Sequence, residues 1–293
     1  MTRDPVVFVI LPVHNRWEQT RKCLACLAGQ THGNLRVVLV DDGSTDGTRQ
    51  HVEQEFPGVT VLGGDGTLWW AGGVNRGIDF AMREASSEDF LLILNNDLAF
   101  EKTFIVDLCR ESVERGRAAL FPASVDNRTG ELADTGLLVD WEGTRIVPAH
   151  KGAGGAAPAE PDAFSTRGLL LPVPVVSTAG RLRERELPHY LSDIEYTIRI
   201  QKMGLPIFRS KRVTTVLDTS TSGLHTAPGT GSPWRDIRNH LFDYRSSSNI
   251  VHWIRFLRIC CPRKYMPRWI YSILVSEAKF AVKTLLAGAR GRA

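Results

Sequence analysis

The sequence predicts an α/β protein: a doubly wound, mostly parallel sheet followed by a C-terminal helical extension. Three observations carry this. Short apolar runs alternate with segments of helical periodicity through the first 120 or so residues, joined by the short connections of βαβ units. The runs are continuously apolar, as in Phe90-Leu91-Leu92-Ile93-Leu94, which suits strands covered on both faces. Polar clusters stand directly after these runs or open the next helix, where open α/β sheets bind ligands.

In order along the chain, Val6–Leu11 reads as a buried strand and Arg16–Leu27 as a helix whose apolar spacing runs through Cys23, Leu24 and Leu27. Leu35–Val40 is a second, Val-rich strand. Ser44 and Thr45 are candidate caps for a helix ending near Glu55. Val59–Leu62 is a third strand, Gly72 to about Ala85 a helix, and Phe90–Leu94 the fourth strand. Glu101–Arg115 is amphipathic and precedes an extended Ala118–Pro122. The pattern then changes: Leu132–Val147 carries short extended pieces, and Ala149–Ala163 is a Gly, Ala and Pro loop. Arg167–Val176 is apolar and extended. Asp193–Met203 is helical and is stopped by Gly204-Leu205-Pro206. Ile207–Phe208 and Val213–Leu217 read as two strands, His225–Pro233 as a loop, and the chain from Trp234 as mostly helical. This divides the chain into residues 1–120, residues 121–233, and a helical tail, 234–293.

Composition bounds the class. The 293 residues are 43% hydrophobic and 23% charged, ordinary values for a globular protein. No apolar run approaches the roughly 18 residues that span a bilayer, and the N-terminus does not read as a signal peptide, so a cytoplasmic protein is expected. Five cysteines are too scattered for a disulfide scaffold; Cys23 and Cys26 sit in a helical pattern and Cys260-Cys261 read as buried apolar residues. The net charge of +4 is uneven. Residues 235–293 hold twelve Lys/Arg against three Asp/Glu, a net of +9, which leaves the remainder at −5. An anionic partner is therefore expected for the tail alone.

The chemistry-bearing residues lie in four clusters. Pro12-Val13-His14-Asn15 follows the first strand, and Asp41-Asp42-Gly43-Ser44 closes the second. Two acids at a strand end exceed what capping requires, and such carboxylates accept hydrogen bonds from a nucleobase or ribose. Gly72-Gly73-Val74-Asn75-Arg76-Gly77 is neither a Walker A loop nor the dinucleotide fingerprint. Its glycines, at Gly73 above all, are expected to open a helix and let backbone N–H groups approach a phosphate or ribose. Trp69-Trp70 just before can wall a base pocket by stacking. Asn95-Asn96-Asp97 ends the fourth strand, where Asp97 is a hard oxygen donor suited to Mg²⁺ or Mn²⁺ carrying a diphosphate. Later, Asp193 opens a helix as a candidate general base, with Glu195 a second candidate on another face.

These pieces (ILPVHNR, VDDGSTDGT, GGVNRGI, LLILNND and LSDIEYTIRIQKMG) resemble the inverting family-two glycosyltransferases, which share the A-type glycosyltransferase fold. The likeness covers roughly Val6 to Leu217. The form WWAGGVNRG resembles the branch of rhamnosyl and related transferases for bacterial surface polysaccharides. The resemblance implies nucleotide contacts at Pro12, His14 and Asp42, with Asp41 close by. Asn15, Trp69, Gly73, Asn75 and Asn96 are further nucleotide-binding candidates from the clusters themselves, which makes residues 1–120 the expected nucleotide-binding half and 121–233 the acceptor and catalytic half. The resemblance places Asp97 on the last acid of the family's metal-binding D-x-D and Asp193 on its catalytic base. Two departures stand out: Asn95 occupies the first D-x-D position, one charge fewer, and Ser192 replaces the first member of the acidic pair. The ligand that completes the metal shell after a late strand is Asp218, with His225 as runner-up.

The implied reaction is a single in-line displacement. An acceptor hydroxyl, deprotonated by Asp193, attacks the anomeric carbon of a nucleotide-diphospho-sugar while the metal offsets charge on the departing diphosphate. The acceptor is expected to be a glycan or lipid-linked hydroxyl in cell-surface polysaccharide synthesis. The tail mixes Trp253, Phe256, Trp269 and Ile273 with Arg255, Arg258, Arg263, Lys264 and Arg268, which suits an anionic membrane surface at the inner face of the cell membrane. Packing on the body or pairing two subunits is the alternative. The rival functions are a sugar nucleotidyltransferase, disfavoured because the first turn lacks a Gly-rich phosphate loop, and a non-catalytic nucleotide-sugar-binding protein. Nucleic acid is not expected as a partner, because the positive charge sits in one tail.

Overall fold

A computed structural model of the chain describes residues 4–152, 160–220 and 232–290. The first half alternates strand and helix: β1 (Val7–Val13), α1 (Trp17–Ala28), β2 (Leu35–Asp41), α2 (Thr48–Glu55), β3 (Thr60–Gly63), α3 (Trp69–Ala81), β4 (Phe90–Ile93), β5 (Leu98–Ala99), α4 (Phe104–Glu114) and β6 (Ala119–Asp126). Then come β7 (Leu132–Asp134), β8 (Leu137–Asp140), β9 (Arg145–Pro148), the single turn α5 (Ala149–Gly152), β10 (Leu169–Pro172), α6 (Val173–Ala179), α7 (Ser192–Lys202) and β11 (Ile207–Leu217). Helices α8 (Pro233–Phe242), α9 (Ile250–Cys260) and α10 (Met266–Arg290) follow.

The main sheet runs β3-β2-β1-β4-β10-β6-β11-β5, with β7 beside β6. Strands β3, β2, β1 and β4 are mutually parallel, as are β6 and β11. Three strands run against them: β10, inserted between β4 and β6, the short β5 beside β11, and β7 beside β6. The expected doubly wound sheet is therefore mostly parallel but mixed, and it draws strands from both sides of residue 120.

The continuous apolar runs have a direct cause. Phe8 and Ile10 of β1 face one layer with Val74 and Ile78 of α3 and Leu91 and Ile93 of β4. Val7, Val9 and Leu11 face the other with Cys23 and Leu24 of α1, Leu92 of β4 and Leu108 of α4. Both faces are covered, so neither can be polar. Each fully buried Leu or Phe contributes about 1.5–3 kcal/mol relative to exposure.

A third core joins the C-terminal helices to the body. Phe256, Leu257 and Cys260 of α9 and Trp269 of α10 pack with Leu187, Leu191 and Ile198, and the β8–β9 hairpin adds Val139, Trp141 and Ile146. Trp269 is 4% exposed, and its Nε1 donates to the Trp141 carbonyl at 2.8 Å. Phe256, Leu257 and Trp269, which the sequence assigns to a membrane-facing tail, are thus core residues. What α10 leaves outside is a narrower stripe with Tyr271, Leu274, Val282 and Leu286 exposed. No helix among the described residues is long and apolar enough to cross a membrane.

Several boundaries move. The apolar segment Arg167–Val176 is only briefly a strand; Pro172 ends it, and Val173 starts α6 with Pro174 in its first turn, where a missing N–H costs nothing. The two late strands are one, β11, with an irregular register between Arg209 and Thr214. Ser44 and Thr45 do not cap α2, which begins after Gly47 without a side-chain cap.

Candidate active site

A cleft of about 560 Å³ opens at the carboxyl ends of β1 and β4. The loop after β1 forms one wall and is tied to the loop after β2. The Asn15 N–H donates to Ser44 Oγ at 2.7 Å, and the Thr45 N–H donates to Asn15 Oδ1 at 2.9 Å. His14 Nδ1 lies 2.6 Å from the Asp42 carbonyl. A carbonyl only accepts, so Nδ1 is the donor in this contact. Pro12, His14, Asn15 and Asp42 all line the cleft.

Asp42 does more than border the cleft. Its Oδ1 accepts from the Gly66 N–H at 2.8 Å and its Oδ2 from the Trp69 N–H at 3.0 Å. The carboxylate therefore holds the 66–69 turn and sets where α3 begins. Trp69, in the left-handed region at φ 57°, enters the cleft; its indole stacks on Tyr244 at 5.3 Å, and Arg245 lies 5.9 Å from its ring. Trp70 lines the cleft too, its Nε1 donating to Thr166 Oγ1 at 3.1 Å.

The end of β4, the strand paired with β1, adds the next part of the lining. Asn95, Asn96 and Asp97 all reach the cleft. Asn96 is anchored by its Nδ2 donating to Thr20 Oγ1 at 3.0 Å. Asp97 is 8% exposed, and burial raises its carboxyl above the usual range, opposed by Arg167 and Arg16. Two buried oxygens here, Asn95 Oδ1 and Asp97 Oδ1, lack a hydrogen-bond partner. Buried unsatisfied oxygens are costly and call for a donor or a cation. A small divalent ion fits such a pair: it binds through one or two carboxylates, with waters and phosphate oxygens completing the shell. Asp218 follows β11, whose Leu217 pairs with Leu98, and its N–H donates to the Asp97 carbonyl at 3.0 Å. Its carboxylate accepts from Ser220 and stays outside the cleft lining. His225 lies outside the described residues. No group of three His, Cys, Asp or Glu poised for a metal occurs among the described residues, and the unpartnered oxygens of Asn95 and Asp97 are the ones that fit a cation here.

Asp193, in the first turn of α7, also lines the cleft. Burial pushes its carboxyl up to about 6, against the Ile194 N–H that donates to Oδ1 at 2.9 Å and the charge of Arg167. Glu195 goes elsewhere. It is 1% exposed and held by Arg183 at 3.1 Å and Arg199 at 2.9 Å, outside the cleft. Two residues along a helix is about 200° of rotation, so the two acids cannot share a site.

Three further candidates are not in the cleft lining. The Asp41 carboxylate accepts from the Ser44 N–H at 2.9 Å, shaping the turn. The Asn75 amide accepts from the Leu182 N–H and donates to the Leu182 carbonyl and Glu184, joining α3 to the 182–184 segment. Gly73 lies inside α3, and a Cβ there would sit 3.0 Å from the Pro12 side chain. Because α3 starts at Trp69, the Gly72 N–H already donates to Leu68. The expected phosphate-binding helix start at these glycines is corrected: they permit close packing instead.

The cleft also holds residues that sequence reasoning missed: Arg16, Thr166, Arg167, His189, Tyr190 and Arg245. His189-Tyr190 could have been found by their place just before Ser192-Asp193. Arg245 gave no signal, because it comes from the helical tail. Burial, with help from Arg245, lowers His189 to about 4, so its imidazole is neutral at pH 7. Four non-glycine residues around the cleft, Asn15, Arg16, Trp69 and Leu191, have positive φ. Such strain concentrates where function requires a set geometry.

A mixed, mostly parallel sheet with a cleft at its strand ends and helices over both faces is the A-type fold of nucleotide-sugar transferases. The structure superposes on S. aureus TarS 1-349 in complex with UDP with a TM-score of 0.54 and 15% identity, covering 92% of this chain and 70% of that one. It superposes on the mannosyltransferase PcManGT from Pyrobaculum calidifontis in complex with GDP-Man and Mn²⁺ with a TM-score of 0.55 and 17% identity, covering 99% and 76%. Residues 8–138 match the family model described as Glycosyl transferase family 2. Glycosyltransferase AglE of Haloferax volcanii is 30% identical over 136 residues, 45% of this chain and 40% of that protein. Glycosyltransferase GlyA of Streptococcus pneumoniae is 28% identical over 117 residues, 39% of this chain and 16% of that one. The chain thus spans less than half the length of either relative. These matches are likenesses over the first half of the chain, and the family match includes Asp97 but ends before Asp193.

Proposed function

We propose that the chain is an inverting glycosyltransferase of family two that moves a sugar from a nucleotide-diphospho-sugar to an acceptor hydroxyl. The observation that carries this reading is the placing of Asp97 and Asp193 on one cleft, beside a wall of Pro12, His14, Asp42 and Trp69. Donor complexes of fold relatives, UDP in TarS and GDP-Man in PcManGT, agree with a nucleotide in such a cleft.

In this reading the nucleoside lies along His14, Asn15, Asp42 and Trp69. Asp97, with Asn95, would hold a divalent Mg²⁺ or Mn²⁺, which would supply Lewis-acid stabilisation of the leaving diphosphate. Asp193 takes the proton from the acceptor hydroxyl as that oxygen attacks the anomeric carbon. A carboxyl near 6 is ionised at pH 7 yet basic enough to accept a proton in the transition state. The attack from the face opposite the diphosphate inverts the anomeric centre. Asp218 is assigned to the outer surroundings of the cation, and the acceptor to a glycan or lipid-linked chain of a surface polysaccharide, as in the rhamnosyltransferase-like branch.

The remaining stripe on α10, with Val282 and Leu286 beside Lys279 and Lys283, supports peripheral contact with an anionic membrane face. Nothing in the cleft favours a nucleotidyltransferase: no glycine-rich loop follows β1. The test is a thermal-shift screen of UDP, GDP and dTDP with and without Mg²⁺ or Mn²⁺, followed by nucleotide-sugar turnover. Stabilisation by one diphosphate and release of that diphosphate from its sugar are expected. Stabilisation by none of the three sinks the reading.

A further inference from the structure

We propose that Arg16 and Arg167 together hold the donor diphosphate beside Asp97, so that nucleoside diphosphate binding here does not require the cation. The inference rests on the sugar-transfer reading of the cleft and assigns it a second set of phosphate-binding groups.

Arg16 is delivered by costly backbone. Asn15 and Arg16 are consecutive non-glycine residues in the left-handed region, at φ 59° and 63°. The Ser44 and Thr45 contacts of Asn15 hold this pair, and Arg16 lines the cleft. Among the described residues no carboxylate lies within ion-pair distance of Arg16 (Asp46, in the loop after β2, is instead engaged by the Trp17 N–H at 2.9 Å). An exposed arginine aimed by strain and left without an acid is suited to an anionic ligand.

Arg167 is delivered by a buried anchor. Asp134, at the end of β7, lies 3.5 Å from one guanidinium nitrogen and accepts from Ser165 Oγ at 2.8 Å. The side chain is 25% exposed and still lines the cleft. A guanidinium carries five donors in a fixed fork, so a single contact to Asp134 leaves the geometry that matches two phosphate oxygens. Both arginines offset the burial of Asp97, which puts them within electrostatic reach of the same acid.

The charge count gives the reason. Asn95 leaves the strand end one carboxylate short, and no cluster of three metal-ligating side chains accompanies it among the described residues. A cation held by so few protein charges binds weakly, whereas two guanidinium groups neutralise a diphosphate directly. The arginines then bind the donor, and the cation acts chiefly on the leaving group.

Isothermal titration of UDP, GDP, dTDP and inorganic pyrophosphate, in Mn²⁺ and in EDTA, tests this. The wild type should keep its preferred nucleoside diphosphate in EDTA, with less than about 10-fold loss. Arg16→Ala and Arg167→Ala should each weaken it about 10-fold or more, the scale of a charge-assisted hydrogen bond. Binding of the parent nucleoside, which lacks phosphate, should be unchanged in both. Arg167→Ala leaves Asp134 unpaired and risks the fold; Arg16 is exposed and carries no such risk, and Arg167→Lys should give an intermediate loss. If the wild type binds the diphosphate only with Mn²⁺, or if Arg16→Ala and Arg167→Lys bind as tightly as wild type, the arginine assignment fails and sugar transfer survives. If the wild type binds no nucleoside diphosphate under either condition, both readings fail.

Discussion

Asp193 and Glu195 stand two residues apart on α7, and their surroundings divide their work. Asp193 faces the cleft and has one N–H partner; Glu195 is buried between two arginines. Asp193→Asn should lower turnover by about 10²- to 10⁴-fold, the usual worth of a positioned base, while nucleoside diphosphate binding stays close to wild type in calorimetry. Because burial raises Asp193 to about 6, kcat/KM should climb with pH through that value and level off above it. The stability effect has the opposite sign. Between the ordinary carboxylate value and about 6 the folded state holds the extra proton, so ionising Asp193 as pH rises costs stability. Asp193→Asn removes that cost and should raise Tm at pH 8, by roughly 2–4 °C for each kcal/mol recovered. Glu195→Gln should instead break a buried ion-pair network and lower stability by about 3–5 kcal/mol, read in urea melts. A Glu195→Gln variant that folds normally but is dead, beside an active Asp193→Asn, would reverse the assignment of the base.

At the scale of elements, the join between α3 and β1 positions the cleft wall. Gly77 packs against Ile10 so closely that a Cβ would sit 2.4 Å from Ile10 Cγ2. Gly77→Ala should therefore cost about 1–3 kcal/mol through overpacking, despite alanine's better helix propensity, and chemical denaturation would show it. The start of α3 explains why its glycines were misread. In the sequence, Gly72-Gly73 looks like the opening of a helix. In the fold, Asp42 accepts the Trp69 N–H and starts the helix three residues earlier. A cap contributed from 27 residues away leaves no local mark. The same applies to β5, a two-residue strand defined by its pairing with Val216 and Leu217, which brings Asp218 beside Asp97.

At the scale of the molecule, the tail is part of the protein's core and of its cleft. Trp269 and Phe256 close the third core, and Tyr244 and Arg245 lie against Trp69. Trp269→Ala should cost about 3–5 kcal/mol, as for other buried aromatic residues. Removing everything after Trp234 would damage the cleft together with any membrane contact, so the surface stripe is the sharper probe. Val282→Asp with Leu286→Asp should abolish flotation with anionic liposomes and leave Tm within about 1 °C, since both residues are exposed. Flotation unchanged by that pair would remove α10 as a membrane contact. The sequence by itself determined the alternation of strands and helices, the two-sided burial and the acids at Asp97 and Asp193, because periodicity, apolar runs and strand-end carboxylates are local properties of the chain. Only the tertiary structure decided that Glu195, Asn75 and Asp41 lie outside the cleft, that Phe256 and Trp269 are core, and that Arg167 and Arg245 reach the site. Those outcomes depend on which side chains from distant segments meet, and a linear pattern holds no record of contacts made across the sheet.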